Sequence, residues 1–132
     1  SAFTDREKFP VLPGEIESYD ETAQYNLGSW EGNPLDMFSA IVCGINVENV
    51  VITGEGTIDG CTNFENWWKN CKVRDTAWRP RLFFINHCKN VMMHGITVQN
   101  SPSWTIHPYF SEHLKFIDVK IKNPANSHNT DG

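Results

Sequence analysis

NVMMHGITVQN (Asn90 to Asn100) lies over HLKFIDVKIKN (His113 to Asn123) at an offset of 23 residues. The overlay pairs Val91 with Leu114, Met93 with Phe116, Ile96 with Val119, Val98 with Ile121 and Asn100 with Asn123. Five matched positions at one spacing are hard to obtain from unrelated strands, and a period of this length marks a solenoid. NVVITGEGTIDG (Asn49 to Gly60) fits the same template 41 residues before Asn90, which leaves about 18 extra residues between Gly60 and Trp78 as one long inserted loop. The runs AIVCGINV, RLFFIN, ITVQN and HLKFIDVKIKN are short, β-rich and bounded by Asn, Gly, His or Pro, and no segment shows sustained apolar spacing at three and four. Almost no helix is expected.

These features predict an all-β fold, a partial right-handed parallel β-helix of about three coils, with Asn100 over Asn123 as a rung of a stacked Asn ladder. Strands are expected near 40–47, 49–53, 82–86, 91–98, 104–107 and 114–121. The competing arrangement is an antiparallel sandwich, whose strands also recur every 8 to about 12 residues. Residues 1–38, with Pro10, Pro13 and Pro34 and the acidic cluster Glu15, Glu17, Asp20 and Glu21, read as an irregular segment ahead of coils spanning 39–132, with the insertion at about 60–78.

The 132 residues suit at most one domain. Eleven basic against sixteen acidic side chains, a net charge of −5, disfavour a nucleic-acid or anionic-membrane partner. Apolar runs fall far short of the roughly 20 residues that span a bilayer, and SAFTDREKFP (Ser1 to Pro10) has no apolar h-region of a signal peptide. Cys43, Cys61, Cys71 and Cys88 match no metal spacing. Cys61 and Cys71 either staple the insertion or, with the others, are buried free thiols.

Three strings carry chemistry: ITGEGTIDG (Ile52 to Gly60) followed by NWW (Asn66 to Trp68), NSPSWTIHP (Asn100 to Pro108), and the terminal NTDG (Asn129 to Gly132). In this order they resemble the polygalacturonase-type glycoside hydrolases, family 28, from about Tyr25 to Gly132. The resemblance implies a right-handed parallel β-helix that hydrolyses pectic polysaccharide with inversion, using three clustered aspartates. The Asp of NTDG, Asp131, is the first of them. The adjacent Asp-Asp pair, the Gly-His-Gly and the Arg-x-Lys of the family pattern lie beyond Gly132, so the chain is expected to be an internal fragment, inactive alone, of a monomeric enzyme. A secreted or periplasmic location is implied by the same resemblance, and no cofactor or metal is expected.

Alternation along a strand puts Asn129 and Asp131 on one face and Thr130 on the other. A step of 24 residues back from Thr130 reaches Ile106, which places Thr105 beneath Asn129 and His107 beneath Asp131 on one outward polar strip. If Leu82 and Phe84 point inward, Arg81 joins that strip, either as a fork for a uronate carboxylate or as a solvated surface residue. Asp131 is the expected catalytic carboxylate; Asn129, His107, Arg81 and His128 are the expected substrate contacts, although His128 and Asn129 can equally bond their own turn. Trp67, Trp68 and Trp78 in the insertion either stack on sugar or, as the favoured reading, anchor the loop. Two other functions remain open: a Ca²⁺-dependent lyase, which needs clustered acidic ligands where the strip offers only Asp131, and a non-catalytic glycan-binding β-helix.

Overall fold

The chain climbs because it turns repeatedly through residues of positive φ, which stack from coil to coil. The computed structural model describes residues 2–14 and 27–132; the acidic cluster at 15–21 lies outside them. After a 3-10 turn at Ala2–Thr4, β1 (Val11–Leu12) and β2 (Met37–Phe38) pair antiparallel. Between them Glu31 and Gly32, at φ 48° and 80°, form a two-residue hairpin tip closed by paired backbone bonds between Trp30 and Asn33.

Three coils of three strands follow. The first holds β3 (Val42–Ile45), β4 (Glu48–Thr53) and β5 (Thr57–Asp59). The second holds β6 (Phe83–Asn86), β7 (Lys89–His94) and β8 (Thr97–Gln99), and the third β9 (Ile106–Tyr109), β10 (Glu112–Ile117) and β11 (Lys120–Lys122). All pairing between coils is parallel, in sheets ordered β3-β6-β9, β4-β7-β10 and β5-β8-β11. The protein is a right-handed parallel β-helix of about three coils, and the sandwich reading is set aside.

The 23-residue register holds in full: Val91 faces Leu114, Met93 faces Phe116 and Val98 faces Ile121. The 41-residue step holds for Val50 over Val91 and Ile52 over Met93 but shortens by one for Thr57 over Thr97. One extra residue sits in the Gly54–Gly56 corner. The expected strands at 91–98 and 114–121 are each broken in two by a corner, where Gly95 at φ 82° and Asp118 at φ 52° bend the chain sharply. Gly95 is required twice over, because a Cβ there would meet the carbonyl oxygen of Gly54 at 2.6 Å.

The Asn ladder exists one corner away from its expected place. Asn90 Nδ2 donates to Asn49 Oδ1 at 2.7 Å, both residues having positive φ. Asn100 instead donates to Asp59 Oδ1 at 2.9 Å, while Asn123 accepts from Ser101 N at 2.9 Å. The Asp59 carboxylate, which burial pushes toward the neutral form, is held below its ordinary range by donors from Gln99, Asn100 and Cys61 N.

Phe83, Ile85, Val91, Met93, Ile96 and Val98 of the second coil are buried between half-buried Val42, Val50, Ile52 and Ile58 below and Ile106, Leu114 and Val119 above. Phe84 points the other way. It is buried against Met37 and Ala40, so the segment ahead of the first coil covers the outer face of β6. In the long connection from β5 to β6, Trp67 is fully buried with Nε1 donating to Phe3 O at 2.9 Å, and Trp68 Nε1 donates to Ser101 O at 3.1 Å. These two rings anchor the insertion. All four cysteines are free: Cys71 and Cys88 are buried, whereas Cys43 and Cys61 are exposed.

Two outcomes follow from this packing. Gly95→Ala adds a backbone clash to the cost of a positive φ, whereas Gly32→Ala, with nothing among the described residues within 4 Å of the new Cβ, meets the φ cost alone. Denaturant melts should show Gly95→Ala as the more destabilising, by roughly 1–3 kcal/mol against the parent; equal losses would remove the Gly54 contact from the account. The core-facing Phe116 and Ile121 of the third coil are 37% and 41% exposed, where Met93 and Val98 beneath them are fully buried. The 132-residue chain should therefore self-associate through this face. Sedimentation should show concentration-dependent mass that Phe116→Lys reduces, and a monodisperse parent would contradict the prediction.

Candidate functional site

The polar strip expected along the β3-β6-β9 sheet is present in part, in a different register. Phe83 N donates to Thr105 O at 2.9 Å, and Thr105 N in turn donates to Asp131 O at 2.7 Å. The terminal segment thus extends the sheet by one further rung. Asp131 comes two residues later over Thr105 than a 24-residue step requires, so Thr105, and not His107, lies at the backbone contact with Asp131. Thr105 is itself fully buried, with its hydroxyl donating to Thr130 O at 3.0 Å and accepting from Asn123 Nδ2 at 2.9 Å. It is a spacer beneath the segment and no part of an outer strip. The carboxylate-bearing Asp131 is exposed.

Arg81 also departs from expectation. Phe83 and Ile85, not Phe84, face the main core of the helix, so the inference that aimed Arg81 at solvent fails. Arg81 is 1% exposed, its guanidinium lying between the rings of Trp30 and Trp104 at 4.6 and 4.7 Å. Nη1 donates to Ser103 Oγ at 2.8 Å, Nη2 to Ser29 O at 3.4 Å and Nε to His107 Nδ1 at 3.3 Å. Burial and the charge of Arg79 pull Arg81 down to about 9, against a weaker opposing effect of Glu31, and it stays charged at neutral pH. A carboxylate fork exposed to ligand is thereby replaced by a buried cation that touches the half-buried His107.

His107 is the point where this buried charge meets the outer face. Burial, reinforced by Arg81, lowers it to about 4, so the ring is neutral at physiological pH. With Nδ1 accepting from Arg81, the remaining proton belongs on Nε2, which makes that atom a neutral donor. Trp104 packs edge-on to the ring at 5.0 Å and Tyr109 at 5.7 Å, and Phe84 supports it at 5.4 Å.

On the flank, Asn129 is exposed at φ 56° and its Oδ1 accepts from Arg79 Nη2 at 2.9 Å. The His128 ring packs on Phe64 of the insertion at 5.7 Å, and its carbonyl accepts from Arg79 Nη1 at 2.9 Å. Arg79, Trp30, Trp104 and Ser103 were not among the expected site residues. The signal was Arg79-Pro80-Arg81 directly before an apolar strand, but nothing in spacing alone says that such arginines are buried. A groove of about 450 Å³ runs beside Asn129, lined by Trp30, Glu31, Lys72, Trp78 and Arg79 among others, with Trp78 stacked on Trp30 at 4.7 Å and 10° between planes. Among the described residues no three His, Cys, Asp or Glu side chains converge as a metal site would require, and no helix is long and apolar enough to cross a membrane.

Fold and site define the class: a parallel β-helix protein with an exposed carboxylate, a neutral imidazole and aromatic-shielded arginines along one lateral sheet. The profile of glycosyl hydrolases family 28 matches residues 18–132, and the chain belongs to that family. A probable polygalacturonase of Vitis vinifera is 34% identical over 72% of the chain and 19% of its own length, and a polygalacturonase of Juniperus ashei is 32% identical over 92% and 23%. An endo-polygalacturonase of Pectobacterium parmentieri is 33% identical over 70% of the chain and 26% of its length. The chain thus spans about a fifth to a quarter of these relatives. An exopolygalacturonase from Thermotoga maritima shares the fold, with a TM-score of 0.71 and 23% identity over 98% of this chain and 34% of that one.

The His107 environment sets a pH dependence. Its folded value of about 4 lies below the ordinary 6.5, so as pH falls from about 6.5 the unfolded chain gains a proton that the folded chain refuses until about 4. Stability from this group is complete above 6.5, declines down to about 4 and declines no further below it. The neutral substitution His107→Gln should flatten the melting temperature between pH 6.5 and 4 relative to the parent. Parallel curves would show that His107 is not held neutral by its surroundings.

Proposed function

We propose that the protein contributes to hydrolysis of glycosidic bonds in pectic polysaccharide, polygalacturonate, by an inverting route in which Asp131 supplies a catalytic carboxylate. The observation that carries this reading is Asp131 itself: an exposed carboxylate whose backbone is locked to the sheet through Thr105 N in a chain of family 28. Inversion needs one carboxyl group on the glycosidic oxygen and another activating water, roughly 6.5 to about 9.5 Å apart. Asp131 fills one of these roles, and the proposal assigns the other to carboxylates in the remainder of the longer family architecture, so that the 132 residues alone are inactive.

The remaining roles follow from the chemistry of each group. His107 Nε2–H donates to a ring hydroxyl or uronate oxygen, and Arg81 acts through it by holding the imidazole and lending positive potential. Asn129 presents its amide beside Asp131, and His128 borders the ligand from the insertion side. An anionic substrate meets a chain of net charge −5, so recognition rests on these local donors and not on long-range steering. The substrate places the protein outside the cytoplasm, secreted or periplasmic. Elimination assisted by Ca²⁺ finds no support among the described residues, where no acidic cluster converges.

Asp131→Asn in the full-length protein should lower turnover on polygalacturonate by roughly 10² or more, with substrate affinity retained because Asn keeps the size of the side chain. Parent-like turnover in that variant would remove Asp131 from the mechanism. Proton NMR of the first product should show the anomer opposite to that of the substrate, without an unsaturated, ultraviolet-absorbing end group; such an end group would establish a lyase instead.

A further inference from the structure

We infer that Arg79 is a positioning residue: its buried guanidinium fixes the conformation of the segment from His128 to Asp131 and thereby the place of the Asp131 carboxylate. Arg79 is 3% exposed. Nη1 donates both to Pro102 O at 2.5 Å and to His128 O at 2.9 Å, and Nη2 donates to Asn129 Oδ1 at 2.9 Å. Its Cζ lies 5.4 Å from the centre of the Trp30 ring. One planar cation therefore ties the corner before β9 to the terminal segment one coil above it. The inference deepens the proposed function, on which its catalytic consequence rests.

The segment needs such a tie. Asn129 is exposed and holds φ at 56°, a conformation of limited stability outside glycine that Asn tolerates when its side chain is engaged. On the Asp131 side the backbone is secured by Thr105 N and by Thr105 Oγ1 and Asn123 Nδ2, both bonded to Thr130 O. On the His128 side the cross-coil hydrogen bonds among the described residues are those from Arg79. Without them the segment pivots about Thr105, and Asp131, adjacent to the pivot, turns with it.

The geometry is specific to a guanidinium. Two terminal nitrogens in a fixed plane reach three acceptors contributed by Pro102, His128 and Asn129, while the Trp30 face excludes water from one side. Burial pulls Arg79 below its ordinary value, with a smaller effect of Arg6 in the same direction and an opposing one from Cys71. Among the described residues its buried Nε has no hydrogen-bond partner. A buried, incompletely satisfied cation is a poor choice for stability alone, since its removal relieves as well as costs. That balance is what a residue retained for placement, and not for packing, should show.

Backbone nitrogen relaxation on the 132-residue chain separates the two roles. Arg79→Met keeps the volume and removes every donor, and it should lower the order parameters of 128–131 from about 0.85 to below about 0.6 while those of β6 and β7 stay at about 0.85. Arg79→Lys, one donor centre in place of the fork, should recover only part of the order. Guanidinium added to Arg79→Ala should restore it. Unchanged order parameters at 128–131, or an equal fall in β6 and β7, overturn the inference whatever the activity. In the full-length protein Arg79→Met should lower kcat on polygalacturonate by about 10², the loss expected for a displacement near 1 Å, with KM little changed. If the order parameters respond as stated but the parent itself does not hydrolyse polygalacturonate, the proposed function falls and the tether stands. If the parent is active and kcat is unaffected in a loosened variant, the positioning role falls.

Discussion

A parallel β-helix has to turn its corners at the same place on every coil, because each strand must land on the one below it at a spacing of about 4.8 Å. In this protein the requirement appears as columns of positive φ: Asn46, His87 and Phe110 at one corner, Asn49, Asn90 and His113 just beyond it, and Gly54, Gly95 and Asp118 at the next. Asn, Asp and Gly accept that backbone readily. His and Phe do so at a cost, which the stacked His87 and Phe110 rings at 5.4 Å help to offset. Everything else depends on this alignment, since it brings the apolar positions of successive coils into one core and the polar ones into lateral sheets.

The same constraint explains what the sequence made legible. The 23-residue repeat is readable because β7-β8 and β10-β11 have identical lengths and corners, so matched side chains occupy matched positions. The first coil was readable up to Thr53 and then slipped, because Gly54–Gly56 carries one more residue than its counterpart. The corners inside 91–98 and 114–121 show in the sequence only as a step of three in place of two, from Met93 to Ile96 and from Phe116 to Val119, where the chain bends.

The site was harder to read for two physical reasons. The turn from Asn123 to Asp131 is three residues longer than the turn from Asn100 to Thr105 beneath it, so counting back from Thr130 at a fixed step gave the wrong neighbour for Asp131. The outer face of β6 is also covered by Met37 and Ala40 from a distant part of the chain. An apolar Phe84 on that face therefore resembled a core residue, and the deduction that exposed Arg81 inverted its true position. Asp131, Asn129, His107 and His128 were named from motif and pattern; the aromatic enclosure of the arginines arises from Trp30 and Trp104, 74 residues apart in sequence, and no local pattern announces it.

The extra residue at Gly54–Gly56 has an evolutionary consequence. The register slips by one across that corner, yet β5 still pairs in parallel with β8 and its side chains Ile58 and Asp59 still meet Val98 and Gln99. A length change at a corner is thus absorbed within a single coil and is not transmitted to its neighbours. The same logic accommodates the long connection between β5 and β6, pinned to the body by two indoles. Lineages built on such a coil are free to lengthen or trim their corners independently, altering the walls of the lateral groove while the ascending ladder beneath keeps its count.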